Sequence, residues 1–410
     1  MRRAVAMTAT ATLLVAACSG TGPTGGASIE IDPALAGSLS EADAQDAAAS
    51  ANAFGFELHR EVAEPGANTV TSPLSASVLL AMVAAGAGGE TAEAMTQALG
   101  LDATDDPRFA ALLAELADVD DVELAVANSL WANQGTPFEE DYLTFARETY
   151  GATLDEVPLG EQATADRIDD WVEERTEGLI EDMADDLGLP DPNAVLVLLN
   201  AVYFLGEWTE QFDPDDTREA DFTLADGETV DVPTMHRDDD ELELELSRQD
   251  DHQLVRLTYG EDERFGMEIV LPDESLDLDG FMADFDADQW QDSIDGLSPS
   301  RVGVLALPRF ELEWDAELTD ALIALGMGPA FDAGADFLPM SPSNPWLETV
   351  VQKTYLRVDE AGTEAAAATG GVMVESAPPE LRIDRPFVFT VSDRETGAVL
   401  FLGTVHDPRG

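Results

Sequence analysis

The stretch DEAGTEAAAATGGVMVESAPPE, Asp359 to Glu380, is unlike the rest of this chain. Its middle, Thr363, Ala365, Ala366, Ala367, Ala368, Thr369, Gly370 and Gly371, is small and uncharged where the surrounding sequence is dense in acid. That run has too little apolar bulk to anchor in a core and lacks the 3.6-residue stripe of a docking helix. Small residues and glycine make flexible linkers, but only 30 residues follow, and they read as strands rather than a second domain. With a period of two, one face carries Thr363, Ala365, Ala367, Thr369, Gly371 and Met373, and the other carries Glu364, Ala366, Ala368, Gly370, Val372 and Val374. The first face could enter a packed sheet without burying a charge. The pattern is that of a strand held in reserve.

Working outward, the flanking sequence supplies sheets for such a strand to meet. Phe387 to Val391 and Val399 to Val405 flank DRETG and read as a terminal hairpin. Phe310, Leu312 and Trp314 alternate with Glu311 and Glu313, as in a half-buried strand. VLVLLNAVYFL, Val195 to Leu205, is nearly unbroken apolar sequence and predicts a central strand buried on both faces. Helices come earlier. Ser40 with Asp43 predicts a capped helix toward Val62, with Ala53, Phe56 and Leu58 among its apolar positions. Ser72-Pro73 is a second start, followed by Leu74 to Ala85 and a short helix closed by Gly100. Ala165, Ile168, Val172 and Leu179 mark another amphipathic helix. Helices first and strands later predict an α+β domain. No internal repeat or second linker is visible, so residues 40–410 are taken as one domain.

The 410 residues carry 84 acidic and 20 basic side chains, a net charge of -64. Nucleic acid and anionic membrane surfaces repel such a chain. Hydrophobic residues make up 45%, enough for a sizeable core. Acid spread throughout, with Lys353 the only lysine, fits a protein working in high salt, where screening shortens to a few Å. The N-terminus, MRRAVAMTATATLLVAACSG, has Arg2-Arg3 and an apolar stretch too short to span a membrane, which suits a signal peptide over residues 1–17. Val15-Ala16-Ala17-Cys18 resembles a lipoprotein lipobox, so Cys18 is the expected lipidation site and residues 18–39 a tether. On that reading the protein is exported to the cell surface and meets the membrane only through its lipid. Cys18 is the one cysteine, which excludes an internal disulfide.

Catalytic motifs are not in view. His59, His236, His252 and His406 form no HExxH arrangement, and neither a GxSxG elbow, a Walker loop nor a GxGxxG fingerprint occurs. His59 falls on a predicted helix and the others in acidic or terminal loops, as structural or solvated residues; a scattered triad stays open. Asp277, Asp279 and Gly280 superficially match a calcium loop, but the register puts Ser275 first and Asp286 last, where Asp and Glu belong. No metal or other cofactor is expected.

Here the sequence resembles the serpins, a family of protease inhibitors that trap targets by inserting a loop into a sheet. EAGTEAAAA at Glu360 to Ala368 is similar to the family hinge, and the resemblance covers nearly the whole mature chain. Thr69 to Leu101, Leu199 to Phe212, VPTMHR at Val232 to Arg237, LPRF at Leu307 to Phe310, and DRPFVF with VLFLGTVHDP match in order. The resemblance implies an α+β serpin fold with about three β-sheets, eight to nine helices and an exposed reactive loop over about residues 360–385. It implies a monomeric suicide substrate rather than an enzyme, with no catalytic residue of its own. A protease would attack the loop, form an acyl-enzyme and be carried off as the freed segment inserts. Glu360, Gly362, Thr363, Glu364, Ala365, Ala366, Ala367 and Ala368 would form the hinge. Arg309 holds the basic position that pairs with Glu360, Trp208 sits near the top of the main sheet, and Ser72, Ser75 and Asn200 match a polar cluster under its opening region. Gln352 replaces that cluster's usual histidine, which removes a titratable group.

Reactive-bond candidates are Met373, Val374, Glu375, Ser376 and Ala377, with Glu375-Ser376 and Ser376-Ala377 both open. No Lys or Arg lies between Arg357 and Arg382, which disfavours trypsin-like targets. Val372, Met373 and Val374 suit subtilisin-like or elastase-like serine proteases; a papain-like cysteine protease and a non-inhibitory binding protein are the alternatives.

Overall fold

The computed structural model describes residues 33–117, 119, 122–238, 242–361 and 379–410. Cys18 and its leader, the hinge from Gly362 to Ala368 and the bond candidates Met373 to Ala377 lie outside them. Helices start where their caps are written. Ser40 and Asp43 close a reciprocal capping box on Glu41–Val62, whose buried face includes Phe54, Phe56 and Leu58, while Ala53 turns outward. Ser72 caps Pro73–Ala84, with Pro73 in its first turn, and almost every residue of that helix is buried. Gly100 ends Gly89–Leu99 at φ 63°, a conformation open to glycine at no steric cost. Gln162–Arg175 buries Ala165, Ile168 and Val172; Leu179 lies past its end. Eight helices of seven residues or more are present among the described residues, and none is long and apolar enough to cross a membrane.

Strands form four hydrogen-bonded groups. The largest runs Thr69–Thr71, Val399–Val405, Phe387–Asp393, Phe265–Pro272, His252–Tyr259, Glu243–Arg248 and Ser298–Arg301, antiparallel throughout. The expected terminal hairpin forms its second and third strands. Gly403 is required there, since a β-carbon would lie 2.3 Å from the Phe389 ring. A second group orders Glu380–Arg382, Val304–Pro308, Thr229–Asp238 and Arg218–Thr223. The remaining two are the triplet Thr153–Val157, Glu123–Asn133, Leu196–Leu205 and the pair Phe310–Glu317, Val351–Val358. Leu196–Leu205 of the triplet and Val351–Val358 of the pair touch without a ladder between them, and the whole is an α+β architecture.

Two expectations are corrected. Leu196–Leu205 is not buried on both faces along its length: it pairs with Glu123–Asn133 along one edge, and its other edge has no ladder partner among the described residues. Leu196, Leu198, Tyr203, Phe204 and Leu205 are accordingly only part-buried. His236 and His252 lie in strands, not loops, and all four histidines are buried. The periodicity around them was masked by flanking acid.

His59 carries a measurable consequence. Its ring is fully buried, with Nδ1 3.1 Å from Thr71 Oγ1. Burial pushes its pKa down from 6.5 to about 3. Between those values the unfolded chain binds a proton that the folded chain does not. Stability from this group is therefore full above pH 6.5 and falls as pH drops toward 3, by about 1.4 kcal/mol per unit. His59→Gln should flatten the stability-pH slope by that amount between about pH 6 and pH 4, measured by denaturant unfolding. Equal slopes in the two proteins would contradict the assignment.

Candidate functional site

Leu196–Leu205 and Val351–Val358 each have one edge without a ladder partner among the described residues, and these edges border a common slot. Both strands run the same way. Their first residues, with Val195 and Val197 on one side and Val351 on the other, line one cavity of about 350 Å³ that Trp346 also borders. Beyond their far ends, Trp208 and Asp359 to Ala361 are bonded together. The walls differ in composition and length: Leu196–Leu205 is apolar over most of its ten residues, while the eight of Val351–Val358 include Gln352, Lys353, Thr354 and Arg357. At about 3.3 Å per residue they are about 26–33 Å long.

From behind, one helix N-terminus holds both walls. Ser72 N–H donates to Gln352 Oε1 at 3.0 Å, and Gln352 Nε2 donates to Ser72 O at 3.1 Å. Ser75 N–H caps onto Ser72 Oγ at 3.2 Å, and Ser75 Oγ donates to Asn200 Oδ1. The four residues expected as a polar cluster, Ser72, Ser75, Asn200 and Gln352, thus meet in one chain of hydrogen bonds. Gln352 uses its amide as donor and acceptor at once, a pairing that no protonation change can break. Sequence reasoning missed the continuation: Asn200 Nδ2 donates to Asn128 Oδ1 at 2.6 Å, and Asn128 Nδ2 to Tyr150 O at 2.9 Å. An asparagine inside the apolar run AVANSL was the available signal, since strands are poor in Asn.

At the far end Trp208 stacks on Tyr259, with centroids 4.2 Å apart at 14°. Its Nε1 donates to Asp359 O at 2.8 Å and its backbone N–H to Ala361 O at 3.1 Å. Phe212 N–H adds a bond to Glu360 O at 2.9 Å. The last described residues before the reserve stretch are thus fixed by the turn that follows Leu205. Glu360 Oε2 lies 3.5 Å from Arg309 Nε, and Glu360 Oε1 accepts from Thr217 Oγ1 at 2.5 Å. Arg309 is half exposed, so this ion pair contributes under about 1 kcal/mol. Thr217, absent from the sequence reading, makes the closer contact. Arg357 reaches Asp359 at 2.7 Å, and that carboxylate raises the guanidinium pKa.

A triad-like grouping does occur elsewhere. Asp251 Oδ1 lies 2.7 Å from His252 Nδ1, and His252 Nε2 lies 2.8 Å from Ser293 Oγ. Ser293 is wholly buried and sends its hydroxyl proton to Gln289 O at 2.9 Å, with the imidazole boxed by Phe281 and Phe285. No substrate reaches that oxygen. The group ties Ala287–Asp295 to the large sheet. Asp277 likewise caps a helix, its Oδ1 accepting from Gly280 N–H at 2.8 Å.

The family model for serpins, described as serine protease inhibitors, matches residues 49–408. A serpin-like protein of Thermococcus kodakarensis is 37% identical over 372 residues, covering 87% of this chain and 85% of its own length. A leukocyte elastase inhibitor of Xenopus tropicalis is 33% identical over 87% of this chain and 97% of its own. The crystal structure of the thermophilic serpin tengpin in its native state superposes with a TM-score of 0.78 at 27% identity, covering 88% of this chain and 94% of that one. Two facing strand edges without a ladder between them among the described residues, a polar clasp behind them and a match over most of the sequence meet in one conclusion: the chain belongs to the serpin family.

Proposed function

We propose that this protein inhibits extracytoplasmic serine proteases as a suicide substrate. Serpins mostly inhibit serine proteases; the reading for this chain rests on one observation above all. An apolar strand that the sequence writes as buried on both faces has one edge with no ladder partner among the described residues, opposite a second such edge running the same way. A segment returning from Ala361 would run antiparallel to both and could bond to each. Glu360 would mark the base of the hinge, and Gly362 to Ala368, small apart from Glu364 on the opposite face, would enter first. On this reading Trp208 and Arg309 secure the loop's base, while Ser72, Ser75, Asn200 and Gln352 hold the walls.

Cleavage within Met373 to Ala377 would leave the protease joined as an acyl-enzyme to the freed segment. Insertion then competes with deacylation, and the faster process decides between trap and substrate. The apolar strip Val372 to Val374 favours subtilisin-like or elastase-like targets. Export with a lipid on Cys18, and adaptation to high salt, complete the reading.

Incubation of the mature domain with subtilisin, elastase and trypsin in high-salt buffer tests it. A covalent complex with subtilisin or elastase, stable on denaturing gels and with a released peptide beginning between Val374 and Pro378, is the expected result. Clean cleavage with no complex would leave a serpin fold whose loop is only a substrate, and the binding-protein reading would replace this one.

A further inference from the structure

We propose that the cavity at the first residues of Leu196–Leu205 and Val351–Val358 binds a soluble single-chain cationic amphiphile, an ammonium head on an apolar tail. Its volume of about 350 Å³ falls in the range of about 300–1,000 Å³ that small-molecule sites take. The floor is apolar. Leu80 and Val83, from Pro73–Ala84, meet Phe337 and Met340 there, and all four are buried. A tail seated on them leaves water at no polar cost.

The outer lining has the opposite character. Asp186, Asp191, Glu317 and Glu348 border the cavity, and no basic side chain among the described residues lines it. Lys353 pairs with Asp186 from outside the lining; among the described residues the other three carboxylates have no ion-pair partner. An anionic head is repelled by such a rim and a cationic one attracted. Acid alone says little in a chain of this charge, and Trp346 is what singles out this mouth. Its side chain is 58% exposed, the most exposed large apolar group among the described residues. The segment that carries it is tied on both sides. Asn344, at φ 46°, accepts from Phe337 N–H at 2.7 Å and donates to Ala335 O at 2.9 Å. Leu347 N–H donates to Ala330 O at 3.0 Å. An indole is therefore held in water at the border of a cavity whose other exposed groups are carboxylates. That combination suits an ammonium ion: the ring quadrupole and the negative charges attract the same head, and the ring accepts N-methyl groups that make no hydrogen bond. Apolar floor and acidic rim also fix the direction of entry, tail first. A bilayer presents heads outward and hides its tails, so the ligand is one free in water.

Titration calorimetry of the intact mature domain tests this, at the lowest salt that keeps it folded. The probe is decyltrimethylammonium below its micelle concentration. One molecule should bind per chain, with affinity rising about fourfold per methylene from the hexyl through the octyl to the decyl compound. Decanoate, with a tail of similar length and the opposite charge, should bind at least about tenfold more weakly. Trp346→Ala should weaken binding of the cation about tenfold, and Trp346→Phe should restore part of the loss. Glu317→Gln combined with Glu348→Gln should narrow the gap between the cation and decanoate, and keeps the test available if Trp346→Ala does not fold. Absence of binding, equal affinity for decanoate, uptake of many molecules without saturation, or unchanged binding by Trp346→Ala would overturn the proposal. No protease enters the experiment, so its result is independent of the inhibitory reading.

Discussion

Ala367→Pro is expected to abolish the covalent complex while leaving cleavage of the loop intact. The inserted segment would be flanked on both sides, by Leu196–Leu205 and by Val351–Val358, each of which lacks a ladder partner on that edge among the described residues. Such a central strand needs its backbone N–H groups, and proline has none; its ring also crowds the neighbouring chain. A penalty of about 3 kcal/mol on insertion slows it by more than about 100-fold. Deacylation is chemistry of the protease and is not slowed. The race is then lost, and the variant is turned over as a substrate. Thr363→Arg should act alike, through burial of an unpaired charge on the small-residue face. Denaturing gels of each variant with subtilisin read the outcome directly. Persistence of the complex in either would show that the trap does not depend on this segment entering the sheet.

Arg256→Ala carries the largest expected effect on the native fold itself. Glu268 sits in the middle of the seven-stranded sheet and is wholly buried. Its Oε1 accepts from Arg256 Nε at 2.8 Å and from Ser392 Oγ at 2.9 Å, and its Oε2 accepts from Thr390 Oγ1 at 2.6 Å. Trp290 Nε1 donates in turn to Thr390 Oγ1 at 3.1 Å, so the cluster reaches the helix packed above the sheet. Removing the guanidinium strands a carboxylate that no water reaches, at a cost of about 3–5 kcal/mol. That is a large part of the total stability of most domains. Denaturant midpoints of wild type and Arg256→Ala compare them. A shift worth less than about 1 kcal/mol would mean that the hydroxyls alone satisfy Glu268.

How much of this could be read from the sequence differs by element. Ser40 with Asp43, Ser72 with Pro73 and Gly100 act within one or two turns of chain, so the helix boundaries they set were legible. The alternation of Phe310, Leu312 and Trp314 likewise needs only local chain to express. The clasp was legible only because the resemblance pointed to Ser72, Ser75, Asn200 and Gln352; nothing local says that Gln352 meets a residue 280 positions away. Asn128, Thr217 and Lys353 were missed for that reason, since each acts through a partner distant in sequence. Leu196–Leu205 is the most informative departure. Its apolar composition predicted a strand buried on both faces, and one of its edges has no ladder partner among the described residues. Composition reports what a strand can tolerate when buried, not whether its neighbour has arrived. A strand prepared for a partner and lacking one is what the inhibitory reading needs.

The measurement that tests this account most directly is thermal unfolding of the mature domain before and after a single cut within Met373 to Ala377, in high-salt buffer. If the freed segment fills the slot, both open edges gain a ladder and the cavity between them is covered. The cleaved protein should then unfold more than about 10 °C higher than the intact one. An unchanged or lower midpoint after cleavage would mean that the slot stays empty, and would contradict insertion as the basis of function.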